Sequence, residues 1–213
     1  MTFTVRPPAI SVLRAITLPD VGGDTMWAST ELGYERLPEP LQHLAEDLRA
    51  VHTNAFDYGY STQLAPDEDD EDRRRREEFV STVYQTEHPV VRIHPESGRK
   101  SLLLGGFAHQ VVGFSADTST DLIRIFQRYV LKPEHLVRWR WQPGDVAMWD
   151  NRSTQHYAVN DYGHAYRRMQ RVTVAGVVPV GIDGRPSVAL KGDDTGYAEW
   201  GQDGASPLAA AAG

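Results

Sequence analysis

Apolar and polar residues alternate or recur at regular spacings along most of the chain, and these patterns predict its elements. Residues 11–18 are rich in β-branched and apolar side chains and precede the turn cluster PDVGGD, which predicts a strand that enters a glycine loop. Thr25 and Trp27 then fall on the next strand or at its mouth. Leucines at spacings of four, three and four predict one apolar helical face against the core: Leu37, Leu41, Leu44 and Leu48.

The second half of the chain predicts further strands and one long helix. PVVRIHPESGRKSLLLGG predicts a strand, a turn at residues 95–98 and a second strand. Alternation on both sides of Pro143-Gly144 predicts a β-hairpin, and RMQRVTVAGVVPV predicts a closing strand. The absence of a regular strand–helix alternation favours a β-sandwich or barrel decorated with helices. STDLIRIFQRYVLKPEHL predicts a helix that ends at Pro133, with one apolar face formed by Leu122, Ile123, Phe126 and Val130.

The charge pattern and length indicate how the chain is organised. A chain of 213 residues, 40% of them hydrophobic, buries one sizeable core, so we expect a single domain over residues 1–200. Residues 64–78 form an acidic block followed by a basic block. Such a segment is usually solvated or disordered, and the functional alternative is a mobile lid over an active site. Residues 201–213 predict a flexible tail.

Composition excludes several classes of function. A formal charge of -7 and a pI near 5.6 argue against a nucleic-acid partner and favour a small molecule or a protein. Because the chain has no cysteine, any metal must be bound by His, Asp or Glu. No secretory leader pattern and no apolar run long enough to span a bilayer is present, which predicts a cytoplasmic protein without a membrane partner.

The candidate chemistry lies in the stretch WDNRSTQHYAVNDYGHAYRRMQRVTV. No dinucleotide-binding, phosphate-loop or nucleophile-elbow motif occurs, so attention falls on His156, which we place between two strands. Arg167 and Arg171 follow it by eleven and fifteen residues, and their spacing of four predicts that they share the inward face of one strand. Two guanidinium groups on such a face require anionic partners. Those partners are either Asp or Glu side chains or a bound ligand.

With its two arginines, the segment WDNRSTQHYAVNDYG resembles the taurine dioxygenase family of Fe(II)- and 2-oxoglutarate-dependent oxygenases. Within that family the chain is most similar to the bacterial alkylsulfatases, through AVHTNAFDY, STVYQTEHPVVRIHPESG, VRWRWQPGDVAMWDNR and PVGIDGR. The resemblance runs from about residue 1 to residue 187. It implies a double-stranded β-helix, or jelly roll, of mostly β structure with flanking helices.

The resemblance assigns roles to five residues of this sequence. His156 matches the distal iron-binding histidine of a facial triad of two histidines and one carboxylate. Arg167 matches the arginine that binds the far carboxylate of 2-oxoglutarate, and Thr25 matches the threonine that assists it. Arg171 matches the arginine that meets the sulfonate or sulfate head of the substrate, and Tyr58 falls where the family has an aromatic pocket residue.

The resemblance also exposes a gap in the iron site. The family's other two iron ligands form an H-x-D motif immediately before a segment like MTF, so we expect that this chain begins just after that motif. His94-Pro95-Glu96 is the other match to H-x-D/E, but it coincides with a turn motif of the family and is interpreted as a decoy. One imidazole alone does not hold Fe(II) at useful affinity.

The resemblance implies a definite activity with definite alternatives. Fe(II), 2-oxoglutarate as cosubstrate and O2 would serve the oxidative cleavage of an alkyl sulfate ester to an aldehyde and sulfate, with succinate and CO2. The alternatives are a dioxygenase acting on taurine, another sulfonate or an aryloxyalkanoate, and an inert fragment that lacks the H-x-D ligands. The expected partners are a small anionic organosulfur substrate and further copies of the chain in a dimer or tetramer.

Overall fold

The structure is a computed structural model that describes residues 1–55 and 82–192. The expected mostly β fold with flanking helices is confirmed within these ranges. The helices are α1 (Thr30–Glu35), α2 (Glu39–Asp47) and α3 (Ala116–Val130), and a 3₁₀ turn follows at Pro133–His135. The strands are β1 (Ile10–Thr17), β2 (Thr25–Ser29), β3 (Arg49–Thr53), β4 (Gln85–Pro89), β5 (Val91–Ile93), β6 (Lys100–Leu102), β7 (Ala108–Val111), β8 (Leu136–Trp139), β9 (Val146–Asp150), β10 (Thr154–Ala158), β11 (Arg168–Val174) and β12 (Val188–Lys191).

Two antiparallel sheets pair strands from opposite ends of the chain. β1 lies between β9 and β11, and β2 lies between β8 and β10. The consecutive strands β8 to β11 therefore alternate between the two sheets, as they do in a jelly roll. The order β12-β4-β3-β7 forms a further sheet, and β5 pairs with β6. This connectivity brings β10 and β11, which hold the candidate residues, against the first two strands.

The hairpin prediction at Pro143-Gly144 is wrong. The turn forms, with Gly144 at a φ of 87° and the Asp145 N–H donating to the Gln142 carbonyl at 3.0 Å. β8 and β9 on its two sides pair with β2 and β1, however, and so belong to different sheets. Alternating polarity shows that a strand is half-buried and does not identify the strand that pairs with it.

The other predicted elements form close to their expected places. β1 leads into the glycine loop, and Thr25 and Trp27 lie on β2. β5 and β6 pair as a strand, turn and strand, and the Gly98 N–H donates to the His94 carbonyl at 2.9 Å in the turn. The leucine stripe spans α2 and its two flanks.

A shared apolar cluster joins the helices to the sheets. Phe126 and Val130 of α3 are fully buried, and the side chains of Leu37 and Leu48 at the two ends of α2 are 4% and 7% exposed. Ser115 caps α3 by accepting a hydrogen bond from the Thr118 N–H at 3.2 Å. The helices thus pack against the strands, and α1 and α3 also contribute Thr30 and Gln127 to the wall of the cavity described below.

Candidate active site

A cavity of about 450 Å³ lies against residues of both three-stranded sheets. Most of its wall is apolar, with Met26 of β2 and Leu102 of β6 among the contributors. The polar part includes His156 of β10 and Arg171 of β11, so the structure brings these two predicted residues together. A mostly apolar cavity with a few cationic groups suits an anion that carries an apolar tail.

His156 lies inside β10 and faces this cavity. It is paired with Trp27 of β2, so the prediction that it lies between strands is wrong. The imidazole ring borders the cavity on one side and is surrounded by protein atoms elsewhere. Burial of the imidazole, with the positive charge of Arg171, lowers the pKa of His156 to about 4. The imidazole is therefore neutral at neutral pH, which is the form that binds a metal ion.

A chain of three tryptophans, Trp149, Trp27 and Trp141, runs from His156 to Thr25. The Trp149 ring lies 5.1 Å from the imidazole and 5.4 Å from Trp27, centroid to centroid. Trp27 in turn lies 6.3 Å from Trp141, whose Nε1 donates to the Thr25 hydroxyl at 2.9 Å. Thr25 is 2% exposed and is not part of the wall of the 450 Å³ cavity. Its hydroxyl keeps one proton that it can donate.

Arg167 and Arg171 do not share the inward face of one strand as predicted. Arg171 lies within β11 on the cavity wall, whereas Arg167 precedes the first residue of β11 and is absent from that wall. β11 begins at Arg168, so Arg167 lies outside the strand whose alternation the prediction assumed. Within the described residues neither guanidinium forms an ion pair with a carboxylate, so the ion-pair alternative has no support there.

Arg167 is held against the glycine loop between β1 and β2. Its Nε donates to the Gly23 carbonyl at 3.1 Å, and its guanidinium carbon lies 5.9 Å from the Tyr162 ring centroid. Its Nη2 is buried and has no hydrogen-bond partner in the described part of the chain. An orphaned guanidinium nitrogen of this kind fits a bound carboxylate, because such a ligand would satisfy it.

His94 belongs to a hydrogen-bond network that positions the start of β10. Its Nε2 donates to the Asp150 carboxylate at 3.0 Å, and its Nδ1 accepts from the Glu96 and Ser97 N–H groups at 3.2 Å each. Asp150 also accepts from Arg152, and these contacts lower its pKa to about 2 in spite of its burial. Both ring nitrogens of His94 are thus engaged, which agrees with its interpretation as a decoy.

The described residues do not by themselves fit an iron site. Across residues 1–55 and 82–192, no group of three or more His, Asp or Glu side chains is placed to hold a metal ion. His156 is one ligand of the required type, and a facial triad requires two more. Tyr58 and the segment 64–78 lie outside the described residues, as does the tail 201–213.

Comparison with known proteins gives a family for this arrangement. The family described as "Taurine catabolism dioxygenase TauD, TfdA family" matches residues 1–173. The chain belongs to this taurine dioxygenase family. Its fold agrees with a taurine dioxygenase crystal structure from Burkholderia xenovorans, with a TM-score of 0.75, 36% sequence identity, and coverage of 92% of this chain and 62% of that one. The expected jelly roll is therefore confirmed.

Two relatives in the taurine dioxygenase family are considerably more similar in sequence. An alkylsulfatase of Acinetobacter baylyi is 53% identical over 195 residues, which cover 92% of this chain and 59% of that protein. An alpha-ketoglutarate-dependent sulfate ester dioxygenase of Pseudomonas putida is 52% identical over 188 residues, which cover 88% of this chain and 62% of that protein. The chain thus spans about three-fifths of the length of these two relatives.

Sequence reasoning missed several residues of the cavity. Arg92 and Arg152 both line it, as does Trp27, the β2 residue paired with His156. The tryptophan was placed on the correct strand, but nothing in its spacing indicated that it packs towards His156. Arg92 lies in the conspicuous segment HPVVRIHP, and its position between apolar residues was the one signal that a charge is buried there.

No helix in the described part of the chain is long and apolar enough to cross a membrane.

Proposed function

We propose that this chain is part of a 2-oxoglutarate-dependent dioxygenase that cleaves alkyl sulfate esters. The observation that supports this most is the cavity itself. Among its described lining residues, three arginines and no Asp or Glu accompany a mostly apolar wall. The net reaction converts the ester, 2-oxoglutarate and O2 into an aldehyde, sulfate, succinate and CO2. The names of the two relatives at 52% and 53% identity point to the same chemistry.

The sulfate head of the substrate is assigned to Arg171. This side chain is open to the cavity and lies close enough to His156 to influence its pKa. A guanidinium fork matches two oxygens of a sulfate group. The apolar wall then receives the alkyl chain, through side chains that include Leu102, Leu104 and Leu136. Burial of each CH₂ contributes about 0.8 kcal/mol, so chain length affects affinity.

2-Oxoglutarate is assigned to Arg167 and Thr25. The free Nη2 of Arg167 and the remaining hydroxyl proton of Thr25 are suitable donors to its far carboxylate. His156 is the proposed ligand for Fe(II), which supplies the oxidising chemistry when it is bound. Tyr58 remains a proposed aromatic residue of the substrate pocket.

The proposal also covers the oligomeric state of the protein and its location in the cell. Members of the taurine dioxygenase family assemble into dimers or tetramers, as the sequence resemblance implies, and we propose a homo-oligomer for this protein. We also propose that it acts in the cytoplasm on a small organosulfur anion.

The reaction is tested on protein purified from its own cells and supplied with Fe(II), 2-oxoglutarate and hexyl sulfate. Equimolar release of sulfate and succinate is expected. Taurine in place of hexyl sulfate distinguishes the sulfonate alternative, because a taurine dioxygenase releases sulfite. Succinate release that depends on neither compound would contradict the proposal. A His156→Ala variant is expected to lose sulfate release entirely, since the neutral imidazole is a proposed metal ligand.

Gly23→Ala tests the assignment of 2-oxoglutarate to Arg167. Gly23 has a φ of 73°, and an added Cβ would lie 3.0 Å from both Cδ and Nε of Arg167. We expect a loss of roughly 1–2 kcal/mol in stability from the left-handed backbone. We also expect about tenfold weaker 2-oxoglutarate binding by isothermal titration calorimetry, because the guanidinium is displaced.

Gly113→Ala is the matched control for this substitution. Gly113 has a φ of 85°, and an added Cβ there meets no atom within 4 Å. It therefore carries similar backbone strain without contact to the candidate site. Equal 2-oxoglutarate affinities for the two variants would show that Arg167 does not depend on Gly23 and would weaken its assignment.

A further inference from the structure

Among the described residues, Arg92 on β5 is a buried cation without an ion-pair partner. The residue is 3% exposed, and its Nε is buried with no hydrogen-bond partner in the described residues. It forms no ion pair with any side chain of residues 1–55 or 82–192. It also lines the 450 Å³ cavity that contains His156 and Arg171. The cavity therefore borders a buried guanidinium whose Nε lacks a hydrogen-bond partner among the described residues.

The charges around Arg92 leave it uncompensated. Asp150 attracts it, but that carboxylate is already held by Arg152, with contacts of 2.9 Å and 2.7 Å, and by His94 at 3.0 Å. Arg152 repels Arg92 and is itself neutralised by Asp150 and, at 2.7 Å, by Glu96. Burial and the charge of Arg152 outweigh Asp150 and lower the pKa of Arg92 to about 10. Arg92 therefore remains charged at neutral pH.

We propose that Arg92 forms a second oxyanion-binding position in the cavity, distinct from that of Arg171, for a small sulfate or carboxylate group. A buried guanidinium costs several kcal/mol unless an anion pairs with it. No Asp or Glu is found among the described residues of the cavity wall, so within that wall a bound ligand is what would supply the anion. The planar fork of arginine binds two oxygens of one oxyanion.

The inference rests on the proposed function only in its choice of sulfate or a carboxylate as the anion that binds at Arg92. Its test requires neither iron nor turnover, so its failure and the failure of the dioxygenase proposal are distinguishable. The measurement is isothermal titration of the full chain with inorganic sulfate at constant ionic strength. It is made in an Arg171→Gln background, so that sulfate bound at Arg171 does not contribute.

Arg92→Gln in this background is expected to weaken sulfate binding at least about tenfold. Arg128→Gln removes the same charge from an exposed position of α3 outside the cavity wall and is expected to leave the affinity unchanged. Because the lost cation was unpaired, Arg92→Gln is also expected to raise Tm in the absence of sulfate by roughly 2–4 °C. A purely structural arginine would give the opposite sign.

An unchanged sulfate affinity in Arg92→Gln, with a lowered Tm both with and without sulfate, would overturn the proposal. Arg92→Lys tests the same point if the glutamine variant does not fold. The lysine keeps the charge but lacks the fork, so we expect binding weakened by about threefold, whereas unchanged binding counts against the proposal. Titration with succinate in place of sulfate shows whether the position prefers a carboxylate, since the preferred anion binds more tightly in the Arg171→Gln background and loses more affinity in Arg92→Gln.

Discussion

Replacement of Arg171 by alanine is expected to weaken alkyl sulfate binding by roughly 100-fold, which corresponds to the loss of a charge-assisted pair of about 2–3 kcal/mol. The same change is expected to alter 2-oxoglutarate binding by less than about threefold. The reason is positional, because Arg171 lies on the wall of the large cavity while Arg167 lies against Gly23 outside it. Isothermal titration with hexyl sulfate and with 2-oxoglutarate measures both effects.

Arg167→Ala provides the reciprocal experiment. It is expected to reduce 2-oxoglutarate affinity by a similar factor and to leave hexyl sulfate binding nearly intact, since its buried Nη2 is the proposed carboxylate donor. Arg168→Ala is the matched control, because Arg168 is an exposed residue of β11 that does not line the cavity. Equal losses for both ligands in the Arg171 and Arg167 variants would refute the division of roles.

Secondary-structure elements whose signals lie within one continuous segment were predictable from the sequence. The α3 helix has its apolar face, its Ser115 cap and its end before Pro133 within one continuous segment. The pairing of β8 and β9 depends on β2 and β1, which are more than 100 residues away in the chain. Alternation contains no information about such distant partners, and for that reason the hairpin prediction failed while the strands themselves were correct.

In the candidate site, too, the sequence predicted which residues matter but not the contacts that depend on distant parts of the chain. His156 and Arg171 were both found, and they lie on one cavity wall. The predicted common face failed because β11 begins only at Arg168, so the alternation of the strand does not extend to Arg167. The unpaired state of Arg92 was beyond sequence reasoning, since it depends on how Arg152 and His94 occupy the Asp150 carboxylate.

Two buried histidines beneath the first residues of the chain have a consequence for stability. His52 and His88 are both 0% exposed, and their rings are 4.9 Å apart and nearly perpendicular. Thr2 joins them, with its hydroxyl 2.8 Å from His52 Nδ1 and its carbonyl accepting from His88 Nε2 at 2.7 Å. The Ser187 hydroxyl lies 2.6 Å from His88 Nδ1. Burial lowers the pKa of both imidazoles, and for His88 the value falls to about 4.

Acid is therefore expected to destabilise the fold through these histidines before most carboxylates titrate. His88 has a lower pKa in the folded state than its usual 6.5, so the unfolded chain binds more protons between these values. Stability is full above pH 6.5 and is lost as the pH falls towards about 4. At a pH of about 4.5, His88 alone accounts for a loss of about 2.5 kcal/mol. Asp150, with a pKa of about 2, contributes mainly below this window.

Urea unfolding of His88→Gln at pH 7 and at a pH of about 4.5 measures this contribution. Glutamine keeps an N–H donor for the Thr2 carbonyl but does not titrate, so the variant is expected to lose about 2 kcal/mol less than the wild type between the two pH values. His164→Gln removes a histidine from an exposed position and is expected to behave as the wild type does. An identical loss of stability on acidification in wild type and His88→Gln would show that protonation of His88 does not drive the transition. His52, whose pKa is lowered by burial and by the charge of His88, would then be the group to replace next.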